Sequence, residues 1–335
     1  MMKASTLKNV LQREPMRDRA RRAGWGWRIL LIAVAIWGLS SCTPTERQAR
    51  AAELANRRIR VTATTTLVAD LVRQIGGDRV EVVSLMGPGV DPHLYKARES
   101  DVWKLMRADL IVYHGLHLEA RMADVLAGMA RWVPVVAVGE AIPREQLRYP
   151  PGEKIPDPHI WFDVRLWKQA AEPVAQALSR LDPTHAPQYQ ARLLAYQRAL
   201  DALDAWIREE VRRIPPEQRV LVTSHDAFGY FGQAYGFEVR GLLGISTASE
   251  AGLADVQALA DFLARRRIPA IFVETSVPLR YLEAVQEAVR ARGWRVRVSG
   301  PLFSDALGEP GSPEDTYIGM IRYNVRTIVQ ALQGE

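Results

Sequence analysis

The chain has 335 residues, 48% hydrophobic and 24% charged, a globular composition long enough for two domains and far from that of a disordered or fibrous chain. Its formal net charge of +6 would suit a nucleic-acid partner, but residues 1–42 alone carry eight basic and two acidic side chains. Everything after residue 42 is therefore neutral overall, and the electrostatic argument for nucleic acid falls.

In chain order, a basic stretch ending at Arg28 precedes the apolar run ILLIAVAIWGL, 11 residues at 29–39. A bilayer span needs about 20 residues, so this run suits the core of a signal peptide. It stops at Leu39-Ser-Ser-Cys42, which resembles a bacterial lipobox with Cys42 as the lipidated new N-terminus. Cys42 is the single cysteine, so an internal disulfide is impossible and a lipid role explains it better. Met16 is an alternative start, because the first 15 residues have no counterpart in a usual leader. The polar, Ala-rich stretch 43–57 reads as a tether that holds the body off a membrane surface. Export to the outer face of the cytoplasmic membrane follows.

Beyond the tether, short β-branched runs alternate with amphipathic ones. Strands are predicted at 59–65, 80–86, 109–115 and 133–139, with helices near 67–77, 99–108 and 117–130. From 183 to about 213 a single helix is predicted, with Leu193, Tyr196, Leu200, Leu203, Trp206, Ile207 and Val211 on one apolar stripe. A second series follows, with strands at 220–226, 238–244, 270–275 and 294–300 and helices near 252–266, 278–292 and 313–333. The pattern predicts an α/β protein: two similar lobes with mainly parallel sheets, at 58–182 and 214–335, bridged by one long helix.

Six histidines stand at 93, 114, 117, 159, 185 and 225. The tripeptide Asp-Pro-His occurs twice, ending at His93 and His159, and His225 closes the strand VLVTSH. Ligands of open α/β sheets gather at the carboxyl ends of strands, and Asp305 also follows a strand. Three imidazoles and a carboxylate suit Zn²⁺, Mn²⁺ or Fe²⁺. Asp91 and Asp157 precede proline in turns and could orient the neighbouring rings. His114 and His117 read as structural or supporting residues, and His185 as a surface residue at the start of the long helix.

Five ordered motifs, GVDPHLY (89–95), DPHIWFD (157–163), VTSHDAFGYFGQAYGF (222–237), GISTASEAG (244–252) and PLFSDALG (301–308), carry a family resemblance. Together they resemble the metal-binding lipoproteins of ABC importers, the TroA-like group of helical-backbone solute-binding proteins, over about 59–333. The resemblance implies a metal in the cleft between lobes, held by His93, His159, His225 and Asp305. It implies delivery of that metal to an ABC-type permease and its ATPase by a monomeric, non-enzymatic receptor. His225, where manganese-selective members of the family carry Glu, leaves zinc open. The region 141–156 has no histidine, unlike the His-rich loop of zinc receptors, and the similarity to the treponemal manganese/zinc type favours manganese. His114 stands where relatives commonly have Asn. Two other readings fit the same motifs: a secreted zinc metallohydrolase with Glu250 as its base, and a surface adhesin of the same fold.

Overall fold

The structure, a computed structural model, describes residues 44–334. The leader and Cys42 lie outside the described residues. No helix among the described residues is long and apolar enough to cross a membrane. The stretch 43–57, for which the sequence predicts no regular element, is helical over Pro44–Ala55 (α1). Its Ala, Arg, Glu and Gln residues are strong helix formers. Leu54 is fully buried, and Arg57, just past the helix, pairs with Glu53 and with Asp109.

The first lobe then runs β1 (Ile59–Ala63), α2 (Thr66–Gly76), β2 (Val80–Ser84), α3 (Glu99–Met106), β3 (Leu110–Tyr113), α4 (Ala123–Met129) and β4 (Val135–Ala137). Two helices, α5 (Val164–Ala170) and α6 (Glu172–Leu181), lead into α7 (Ala186–Arg212). The second lobe continues β5 (Val220–His225), α8 (Gly229–Tyr235), β6 (Glu238–Leu243), α9 (Leu253–Arg266), β7 (Ala270–Glu274), α10 (Arg280–Ala291), β8 (Arg297–Leu302) and α11 (Tyr317–Gln333). The strands form two parallel four-stranded sheets, ordered β2-β1-β3-β4 and β6-β5-β7-β8. Strand order reverses between β1 and β3, and again between β5 and β7, which are the switch points where open α/β sheets bind ligands.

α7 is 27 residues long, about 40 Å at 1.5 Å per residue. It buries the predicted Leu193, Tyr196, Leu200, Leu203, Ile207 and Val211 at spacings of three or four, and Tyr189 besides, while Trp206 is only half-buried. This stripe belongs to one continuous core that also takes in Val61 and Leu67 of the first lobe and Leu221, Phe272 and Ile328 of the second.

Besides α1, three helices were not predicted. α5 is announced by Asp163, whose carboxylate accepts the Arg165 backbone N–H at 2.9 Å, and α6 by Pro173 in its first turn. α8 has a Gly- and aromatic-rich sequence of weak intrinsic helicity; packing forms it, with Tyr230, Phe231 and Tyr235 buried. The helix expected at 117–130 begins only at Ala123. Before it, Gly115, Leu116 and His117 are all left-handed (φ 85°, 52° and 65°). Buried Glu119 holds this turn open by accepting the backbone N–H groups of His114 (2.7 Å) and Gly115 (3.1 Å) and the Thr64 hydroxyl (2.6 Å).

Candidate metal centre

His93 sits in the loop after β2, His159 just before a short 3₁₀ turn at 160–162, His225 at the end of β5 and Asp305 three residues beyond β8. His159 follows a long loop from β4 and not a strand end, a departure from the expected placement. The two Asp-Pro-His tripeptides make the same turn. Asp91 Oδ1 accepts the His93 backbone N–H at 2.8 Å, and Asp157 Oδ1 accepts that of His159 at 3.0 Å. This is the Asx turn, closed two residues on with proline fixing its middle.

All four side chains converge. His159 Nε2 lies 3.3 Å from His93 Nε2, 3.3 Å from His225 Nε2 and 3.4 Å from Asp305 Oδ1. His225 Nε2 lies 3.6 Å from Asp305 Oδ2, and no two of the four ligand atoms are more than 4.8 Å apart. A tetrahedron with bonds of about 2.0–2.2 Å has edges of about 3.3–3.6 Å; the three contacts of His159 match such edges, and the remaining pairs lie within 4.8 Å. Three of the residues are fully buried; His93, 6% exposed, is the one with access to solvent. It lines a cavity of about 340 Å³ together with Leu116, His117, Glu153, Ile155 and Ile245.

The rings are oriented from behind. His159 Nδ1 donates to Asp157 Oδ1 at 2.7 Å, which leaves Nε2 for the cluster. His225 Nδ1 faces Glu274 Oε2, while Glu274 Oε1 accepts the His225 backbone N–H at 2.8 Å. Asp305 Oδ2 accepts from the Ser276 hydroxyl at 2.8 Å, and its buried Oδ1 has no hydrogen-bond partner and points at the imidazoles. An ionised, buried carboxylate oxygen is costly unless a cation, a metal ion or a protonated imidazole such as His159, meets it.

Burial opposes charge on all four groups; it prevails at His93, and the neighbours outweigh it at the other three. Burial pushes His93 down to about 3. At His159, burial is outweighed by the charge and hydrogen bond of Asp157, with Asp305 added, and the group is raised to about 9. His225 is likewise raised well above the usual range, against burial, by Glu274 and Asp305. Asp305 is held far below the usual carboxylate range by His225 and His159, despite its burial.

Of the remaining histidines, His114 is buried and its Nε2 donates to the Pro158 carbonyl at 2.7 Å, steadying the turn that carries His159. His117 is exposed, and His185 pairs with Asp182. Glu250 is exposed and is not among the clustered ligands. The sequence reading overlooked Glu274; its signal was a lone acid at the inner end of the apolar strand AIFVE.

Residues 61–331 match the family described as zinc-uptake complex component A, periplasmic (ZnuA). The chain is 48% identical over 303 residues to the manganese-binding lipoprotein MntA of Bacillus subtilis (strain 168), covering 90% of this chain and 97% of that protein. It is 50% identical over 272 residues to the zinc-binding protein TroA of Treponema pallidum (strain Nichols), covering 81% and 88%. The solved structure of the Treponema pallidum protein superposes with a TM-score of 0.80, over 82% of this chain and 99% of that one. The metal ABC transporter substrate-binding lipoprotein ScbA of Streptococcus cristatus is 29% identical over 316 residues, covering 91% and 97%. The chain belongs to the ZnuA family of periplasmic zinc-uptake components.

Proposed function

We propose that the protein is an extracytoplasmic receptor that captures a divalent transition metal through His93, His159, His225 and Asp305 and hands it to an ABC-type permease. The observation that carries this reading is the convergence of three Nε2 atoms and one partnerless carboxylate oxygen at the spacing of a metal's coordination shell. Four protein ligands leave no open position for an attacking water in a tetrahedral site. With Glu250 exposed and outside the cluster, the arrangement favours a receptor over a hydrolase.

Manganese is the cargo we favour, in line with the manganese-binding relative matched over 97% of its length. A three-imidazole site holds Zn²⁺ at least as tightly by affinity order, and Fe²⁺ suits the same donors, so selectivity comes from supply as much as from affinity. The domain scheme supporting this role is a lobe at 58–182, a bridging helix at 183–213 and a lobe at 214–335. A leader at 1–42, lipid attachment at Cys42 and a tether at 43–57 keep the monomeric receptor beside its membrane partner. Metal analysis of the protein purified from its native host without added metal tests the reading. About one manganese or zinc per chain is expected; a chain free of both metals contradicts it.

A further inference from the structure

We propose that Arg148 is a positioning residue of the metal centre, a tie between the segment carrying His159 and the strand carrying His225 that governs how slowly the ion leaves. The inference rests on the metal-capture reading above.

The guanidinium of Arg148 forks between two carboxylates that belong to different lobes of the sequence. Nη1 donates to Asp157 Oδ2 at 2.6 Å and Nη2 to Asp226 Oδ2 at 2.9 Å. Asp157 uses its other oxygen to hold His159 Nδ1, and Asp226 is the residue bonded to His225. One planar cation thus connects two of the four ligands from behind. The backbone adds a second link. Arg148 N–H donates to the Tyr230 hydroxyl at 2.9 Å, and that hydroxyl donates to the Asp157 carbonyl at 2.9 Å. Asp157 N–H returns to the Arg148 carbonyl at 2.8 Å. Tyr230 lies in α8, immediately beyond His225, so the loop from 148 to 157 is fastened to the second lobe at two points.

The sequence leaves room for this side chain at one position. A Cβ on Gly229, at the start of α8, would overlap the guanidinium carbon of Arg148. The pairs are largely removed from water, with side-chain exposures of 18% for Arg148, 0% for Asp157 and 20% for Asp226. Partial desolvation makes such bonds stronger than surface ion pairs, and a lysine, which offers a point charge and no fork, cannot serve both carboxylates equally. Arg148 does not line the cavity that reaches His93. Its loss should therefore leave the approach of the ion alone and ease the separation of His159 from His225 that release requires.

The test is stopped-flow release of Zn²⁺ from the loaded full-length mature protein into excess chelator, with association rates and the visible spectrum of the Co²⁺-loaded form measured alongside. Arg148→Met should release zinc about 10- to 100-fold faster, the range seen when groups supporting metal ligands are removed, with association changed less than about threefold and an altered Co²⁺ spectrum. Arg148→Lys should fall between the two. Gly229→Ala, which displaces the guanidinium while keeping it, should behave like Arg148→Met and carries the test if that variant does not fold. Asp226→Asn should speed release in the wild type and add little to Arg148→Met, as two members of one contact do. Wild-type release rates in both Arg148→Met and Gly229→Ala would overturn the inference while leaving metal capture intact. Failure of the wild type to bind Zn²⁺ would instead remove the reading on which it rests.

Discussion

The four candidate ligands are not equivalent as bases, and that difference sets the pH behaviour. His93, depressed to about 3, is neutral at any working pH. His159, raised to about 9, and His225, shifted in the same direction, hold a proton more tightly than a free imidazole does. A cation must displace the proton that His159 holds, so binding should release at least about one proton per ion and affinity should fall at least about 10-fold per pH unit lowered between pH 7.5 and 5.5. Calorimetry in buffers of different ionisation enthalpy reads the proton count directly; a count of zero contradicts the assignment. The stability consequence has a definite sign. His159's folded value exceeds its unfolded 6.5, so its contribution is fully present below pH 6.5 and is lost as pH rises through about 9. Glu274→Gln removes the charge that holds the proton on His225. It should lower metal affinity about 10- to 100-fold and reduce proton release, measurable in the same titrations.

At the scale of elements, the strands and the long helix were legible from their burial: β5 is buried along its whole length, and α7 buries one periodic stripe. The Asp-Pro-His repeat and the strand-end positions of His225 and Asp305 likewise made legible the four side chains that cluster. What escaped the sequence depends on contacts between distant segments. α8 forms because its glycines admit neighbours: Gly232 meets Val239 and the Phe237 carbonyl, and Gly229 meets Arg148. The late start of α4 follows from Glu119 capturing backbone donors five and four residues before it, a bond pattern with no periodic signature. Gly241 of β6 is a third such position. A Cβ there would collide with the backbone of His225 and Asp226, which cannot move without shifting a ligand. Gly241→Ala should therefore cost about 1–3 kcal/mol, the usual range for overpacking a core, and weaken metal binding too. Thermal unfolding and metal titration of the same preparation check both effects; loss of stability with unchanged affinity would separate β6 from the site.

At the scale of the molecule, the ligands come from four separate stretches of chain, and the core they overlie is continuous through α7. Further ties cross between the lobes near the site. Thr247 donates its hydroxyl to Asp91 Oδ2, Trp161 Nε1 donates to the Ser304 carbonyl at 2.9 Å, and Leu307 N–H donates to the Thr66 hydroxyl at 2.8 Å. An ion bound only by the native arrangement stabilises the whole fold by mass action, about 2.7 kcal/mol at 100 times its dissociation constant. A core shared through α7 argues for small displacements around the ion in place of a wide hinge. The claim on which all of this depends is that these four residues make one metal site. Calorimetric titration of the metal-stripped protein with Zn²⁺ and with Mn²⁺ tests it most directly, comparing the wild type with His159→Ala and Asp305→Ala. One ion per chain is predicted for the wild type, with binding weakened at least about 100-fold in either variant. Absence of binding in the wild type, or wild-type affinity in both variants, would contradict it.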